Sequence, residues 1–133
     1  MVVDTSALIA IIIDEDERER FEDMILRAPT AVMSVVSTVE ATIALAGKRV
    51  NSEVAKLDQA ISWLRIDVRG VDKLQGRLAR EAFLRYGRGR SPAALNFGDC
   101  FAYALAKARE DTLLFKGDDF AQTDIVPAWR PQP

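Results

Sequence analysis

The chain has 133 residues, 49% of them hydrophobic and 29% charged, with no histidine, one cysteine and a formal net charge of −2. This is one domain with enough apolar material for a core, and its charge balance excludes a uniformly basic surface drawn to nucleic acid. The absence of histidine removes serine–histidine and cysteine–histidine nucleophiles, histidine general bases and most zinc sites, while the lone Cys100 makes no internal disulfide and fits a reducing cytoplasm.

In chain order, Val2 to Ile13 is apolar but carries Asp4, lacks a basic lead and is too short to span a bilayer, so neither a signal peptide nor a membrane anchor is expected. Val2-Val3-Asp4 reads as a short buried strand ending in an acid, with Thr5-Ser6 supplying cap chemistry for a helix over Ala7 to Ile13. Asp14 to Asp23 holds seven acids and two arginines, a solvated run leading into an amphipathic helix that Pro29 ends. Ala31-Val32-Met33 is a second strand, followed by a helix from Ser34 to Ala46 that Gly47 terminates.

Asn51 opens a helix with Val54, Leu57, Ile61 and Leu64 on one face, and Ile66-Asp67-Val68 reads as a third strand. The spacing over Val71 to Tyr86 predicts a surface helix with Leu74, Leu78, Ala82 and Phe83 facing in. Arg65 to Arg90 carries eight bases against three acids, so the chain has a basic side. The connection Gly87 to Pro92 is expected to be flexible and basic, able to hold a phosphate backbone or merely to aid solubility. Asn96 is an N-cap for a helix that ends near Arg109. Thr112 to Phe115 is a strand signal running into Gly117-Asp118-Asp119, and Ile125 to Trp129 docks as a last strand or cover. Residues 130–133 should fray. Short apolar strands alternating with helices point to an α/β fold, a mostly parallel sheet flanked by helices, in a single domain over residues 1–133.

Three segments that look buried each hold one charged side chain, and each is an acid. Asp4 is alone in Met1 to Ile13, Glu40 in Ala31 to Gly47, and Asp99 between Arg90 and Lys107. Each has a structural reading: Ser37-x-x-Glu40 has capping-box spacing, and Asp99 lies in a first helical turn. Their repetition suggests acids gathered in one place. Two carboxylates about 5 Å apart repel by roughly 3 kcal/mol at an effective dielectric near 20, and three such pairs approach the whole stability of a small domain. Such a cluster needs shifted protonation or a hard divalent cation, Mg²⁺ or Mn²⁺. The acids at Asp118 and Asp119 follow a strand and belong on the same sheet edge as Asp4, although a Gly-Asp-Asp sequence is often only a turn.

Val2-Val3-Asp4-Thr5-Ser6-Ala7-Leu8, Ser37-Thr38-Val39-Glu40, Asn96-Phe97-Gly98-Asp99-Cys100 and Gly117-Asp118-Asp119-Phe120, in this order and spacing, resemble a PIN domain. More narrowly, the chain is similar to the VapC toxins of bacterial VapBC pairs, most of all in the stretch from Gly87 to Asp99. The resemblance implies a cytoplasmic, Mg²⁺- or Mn²⁺-dependent endoribonuclease acting on structured RNA such as tRNA or rRNA. It also implies a homodimer, and a VapB-type antitoxin whose C-terminal segment occupies the acidic groove. By position it makes Asp4, Glu40, Asp99 and Asp118 the catalytic, metal-binding acids, with Asp119 the alternate for the fourth, and lets Thr5 or Ser6 assist. Arg85, Arg88 and Arg90 are the candidates for RNA backbone contacts. Two other readings compete: a haloacid dehalogenase-type phosphatase using Asp4, which wants a second acid where Ser6 stands, and a non-catalytic interaction domain whose acids are caps.

Overall fold

The computed structural model describes residues 1–47 and 51–133. The elements are β1 (Val2–Val3), α1 (Thr5–Ile12), α2 (Arg18–Arg27), β2 (Val32–Ser34), α3 (Val35–Ala46), α4 (Asn51–Trp63), β3 (Asp67–Arg69), α5 (Lys73–Tyr86), α6 (Phe97–Arg109) and β4 (Leu113–Leu114). A 3-10 turn follows at Phe120–Gln122. The four strands form one parallel sheet in the order β3-β2-β1-β4, with Val2 opposite both Val32 and Leu113.

Successive strand residues point to opposite faces, and here both faces are covered. Val2, Val32 and Leu113 enter the core beneath α5 and α6, while Val3, Met33 and Leu114 enter the core shared with α1 to α4. The central strands β1 and β4 are therefore apolar and buried on every residue, which is why no alternation is visible in their sequence, whereas the edge strand β3 is exposed. Beyond β4 the chain returns for one bridge, Leu113 to Pro127, and Trp129 sets its edge against Phe21 at 5.4 Å.

Two helices face differently from the sequence expectation. In α5 Ala82 is buried and Leu78 packs against the core as expected, but the other buried positions are Gln75, Ala79 and Tyr86, whereas Leu74 is 43% and Phe83 44% exposed. Alanines at Ala79 and Ala82 meet Ala102 and Ala106 of α6 in one core, so small side chains let the two helices approach and the bulkier residues splay to the flank. In α3 only Ser37, Ala41 and Leu45 are buried, and Val35, Val39 and Ile43 form an exposed apolar stripe. Trp63, at the end of α4, is also exposed.

The α6 helix is packed as expected, with Asp99, Cys100 and Ala102 to Ala106 buried, but its first residue, Phe97, projects outward. Among the described residues, no helix is long and apolar enough to cross a membrane.

Candidate metal centre

Asp4 ends β1 and is itself the N-cap of α1, a place where a carboxylate satisfies free helical N–H groups. Its Oδ2 accepts from the Ser6 backbone N–H at 3.0 Å and from the Ser6 hydroxyl at 2.6 Å. Thr5, expected to cap, instead donates its hydroxyl to the Ser37 carbonyl at 3.1 Å and ties α1 to α3. Asp4 Oδ1 is buried and has no hydrogen-bond partner. A buried oxygen left unpaired costs about 1–3 kcal/mol, more when it carries charge, so it calls for an unseen partner.

Asp99 is set by similar logic at the opening of α6. Asn96 accepts from the Asp99 N–H at 2.8 Å, and Asp99 Oδ2 accepts from the Asn96 N–H at 3.0 Å, completing a capping box. The sequence posed cap or ligand as alternatives. Both acids cap with Oδ2 and have a second oxygen for the cluster.

Glu40 comes from the middle of α3. Ser34 is the N-cap, accepting from Val36 N–H at 3.2 Å, so Ser37 lies inside the helix and the capping-box reading of Glu40 falls. The Glu40 carboxylate lies where a Cβ on Gly98 would stand, so the glycine leaves the room in which the third acid reaches the other two. One carboxylate oxygen each from Asp4, Glu40 and Asp99 lies within 4.8 Å of the others.

Burial is the main force on the Asp4 carboxyl, pushing its pKa up to about 6 against the pull of the Ser6 hydrogen bonds, and the charge of Glu40 adds to the rise. Burial likewise pushes Asp99 up to about 7 against the Asn96 hydrogen bond, with Asp4, Glu40 and Asp119 adding repulsion. Among the described residues, no lysine or arginine lies within 4.0 Å of these three acids. Three converging oxygen donors, an orphaned Oδ1 and no cationic side chain fit a hard divalent ion such as Mg²⁺ or Mn²⁺.

The other expected residues stand apart from this trio. Asp118 and Asp119 are both exposed in the turn after β4. Asp119 is near enough to raise the Asp99 pKa, whereas Asp118 borders a separate cleft with Glu17, Ala121 and Trp129. Arg85 lies over the Tyr86 ring and pairs with Asp124 at 3.7 Å, and Arg90 donates to the Leu84 carbonyl at 2.9 Å. The side chain of Arg88 is exposed. Their loop, expected to be flexible, is pinned by hydrogen bonds from Arg88 N–H to Leu95 and from Leu95 N–H to Tyr86. Ser6, where phosphatase chemistry wants an acid, holds Asp4 instead. Gly98 was missed in the sequence, although a glycine in the first turn of an otherwise strong helix is a signal, since it costs about 1 kcal/mol relative to alanine.

The PIN domain family model matches residues 1–126. A Ribonuclease VapC of Mycolicibacterium smegmatis is 42% identical over 126 residues, covering 95% of this chain and 98% of that protein. Ribonuclease VapC28 of Mycobacterium tuberculosis is 43% identical over 129 residues, covering 96% and 97%. Among solved structures, M. tuberculosis VapC20, described as a sarcin-ricin loop cleaving toxin, superposes with a TM-score of 0.77 over 98% of each chain at 16% identity. A toxin-antitoxin complex from Klebsiella pneumoniae gives 0.69 over 92% of each chain at 15% identity. At such identities the structures speak for the fold, and the sequence matches carry the kinship: the chain belongs to the PIN domain family, in the branch of the VapC ribonucleases.

Proposed function

We infer that this chain is the toxin of a VapBC-type toxin–antitoxin pair, a metal-dependent endoribonuclease that hydrolyses RNA phosphodiester bonds at Asp4, Glu40 and Asp99. The observation that carries the reading is the convergence of the Asp4 carboxylate, whose buried Oδ1 has no partner, with those of Glu40 and Asp99, and among the described residues no cationic side chain pairs with them. Asp4 and Asp99 would hold Mg²⁺ or Mn²⁺ directly, with Glu40 closing the third side. When bound, the ion supplies neutralisation of the scissile phosphate and acidification of a water. The chain's own part is to orient the oxygens: Ser6 fixes Asp4, Asn96 fixes Asp99, and Gly98 admits Glu40.

For the fourth acid, the repulsion that Asp119 adds at Asp99 supports Asp119 over Asp118. For the RNA backbone, Arg88 is the strongest of the three arginines, because Arg85 is engaged with Asp124 and Arg90 with Leu84. Structured tRNA or rRNA is the substrate class carried by the resemblance, and the cytoplasm is the compartment in which such RNA is met.

A VapB-type antitoxin is the proposed inhibitor. The exposed stripe Val35, Val39 and Ile43 on the helix that bears Glu40 suits a segment with apolar anchors around a cation that would occupy the acids. A second copy of the chain is the proposed occupant of the groove between α5 and α6. This groove of about 480 Å³ is lined by Ala79, Phe83, Leu84, Phe97 and Phe101, and an apolar face with few charges can serve both partners of a two-fold dimer.

The test is cleavage of RNA by inhibitor-free protein with Mg²⁺ or Mn²⁺, arrested by EDTA. Asp4→Asn and Asp99→Asn should each abolish cleavage while leaving a folded protein. Cleavage surviving either substitution overturns the assignment.

A further inference from the structure

Behind the serine that fixes Asp4 stands a lysine that the proposed chemistry does not use. Lys116 follows β4 directly and precedes Gly117, whose φ of 100° turns the chain into the acid-bearing loop. Its backbone N–H donates to the Ser6 Oγ at 3.0 Å, and the same hydroxyl donates to Asp4 Oδ2. Its ammonium reaches across to the connection between α1 and α2, where it pairs with Glu15 and, at 3.1 Å, with Glu17. These glutamates are otherwise unusual in an acidic run, since Arg18 is taken by Asp14 and Glu22, and Arg27 by Asp23.

We propose that Lys116 is a positioning residue of the metal centre, clamped at its backbone by the Ser6 hydroxyl that fixes Asp4 and at its ammonium by Glu15 and Glu17. The acidic run after α1 thereby acquires a purpose beyond solvation. It holds the end of β4, and with it the Gly117–Asp119 loop, at the edge where Asp4 is displayed. A Ser6 hydroxyl that accepts from Lys116 N–H is also obliged to point its own hydrogen at Asp4, which orients one carboxylate oxygen and leaves Oδ1 to the cluster. Partners of this kind behind a metal ligand typically change metal affinity by about 10- to 100-fold when removed. The proposal rests on the metal-site reading above.

The sign of the effect separates positioning from plain electrostatics. Removing a positive charge from the protein should tighten cation binding if Coulomb forces alone act. If Lys116 positions the ligands, removing its ammonium should weaken binding. The experiment is calorimetric titration of the full chain with Mn²⁺ at a temperature well below the melting point of every variant, so that lost stability alone leaves the dissociation constant unmoved. Lys116→Met should bind Mn²⁺ about tenfold more weakly than wild type, and Lys116→Arg should restore most of the affinity. The Glu15→Gln/Glu17→Gln pair should weaken binding in the wild-type background and add little on top of Lys116→Met, and this cycle also serves if Lys116→Met fails to fold. Unchanged or tighter binding in Lys116→Met, or full additivity of the glutamate changes, overturns the proposal alone. A wild-type chain that binds no Mn²⁺ overturns the metal-site reading and the proposal together.

Discussion

Gly98 and Glu40 meet across the seam between α6 and α3, the glycine standing where any Cβ would run into the glutamate carboxylate. The contact couples a backbone position to the reach of an acid on another helix. Gly98→Ala should therefore displace Glu40, weaken Mn²⁺ binding about tenfold and cost about 1–3 kcal/mol of stability through overpacking. Gly76→Ala, in the middle of α5 with nothing within 4 Å of the new methyl, should instead stabilise by about 0.5–1 kcal/mol. Thermal melts of the two variants check the opposite signs, and calorimetry checks the metal.

The raised carboxyls give the metal-free protein a pH dependence of definite sign. Asp4 and Asp99 rise from 3.8 to about 6 and about 7 on folding. The folded state thus keeps protons that the unfolded chain gives up near 3.8, and stability falls with rising pH wherever the folded state binds more protons. This contribution is full below the unfolded value and is lost as pH climbs through 6 and 7. Asp111 and Asp124 are held below the ordinary carboxylate range by their partners, against the opposing push of burial, so their stabilisation disappears only in more acidic solution. In EDTA the melting temperature should drop by roughly 5 °C from pH 5 to pH 7.5, and the drop should be smaller in Asp99→Asn. Mn²⁺ at pH 7.5 should recover it. A wild-type slope equal to that of Asp99→Asn would remove Asp99 from the account.

Asp118 and Asp119 are separable by substitution. Asp119 presses on Asp99, and Asp118 borders the cleft with Trp129. Asp119→Asn should lower RNA cleavage by about tenfold or more, while Asp118→Asn should have a clearly smaller effect. The reverse order, measured as initial rates on one RNA at saturating Mn²⁺, would return the fourth position to Asp118.

What could be read in the sequence and what could not follow from different physics. The isolated acids were legible because a charge in an apolar run needs a reason, and the reason survives when Asp4 and Asp99 turn out to cap helices with one oxygen only. The order of strands and helices was legible from short apolar runs bounded by Pro29, Gly47 and Asn96. The facing of α5 was not, because the helix carries two candidate stripes. Periodicity favoured the larger side chains of Leu74 and Phe83, whereas close helix packing selected Ala79 beside the expected Ala82. The burial of α3 was overread for a related reason, since Val35, Val39 and Ile43 are apolar and yet exposed. Lys116 was invisible because its role depends on a hydroxyl and two glutamates about a hundred residues away.

Among the described residues Phe97 is the most exposed of the large apolar side chains, at 76%, and it adjoins Leu84 at 59% and Phe83 at 44% along the groove between α5 and α6. Clustered apolar exposure of this kind marks an interface, and the aromatic pair Phe97–Phe101, 5.0 Å apart and edge-to-face, provides a ready-made anchor at its centre. If a second copy covers the groove, Phe97→Asp places a charge in the seam and should convert the dimer to a monomer at micromolar concentration. Unfolding is not the expected route, because an acid at the first position of α6 meets the favourable end of the helix dipole and leaves a residue that was already in water. Light scattering on wild type and variant reads the mass, and a circular dichroism melt confirms the fold. A wild-type chain that is monomeric at these concentrations would sink the seam and leave the groove open to the antitoxin, which should then bind Phe97→Asp more weakly than wild type.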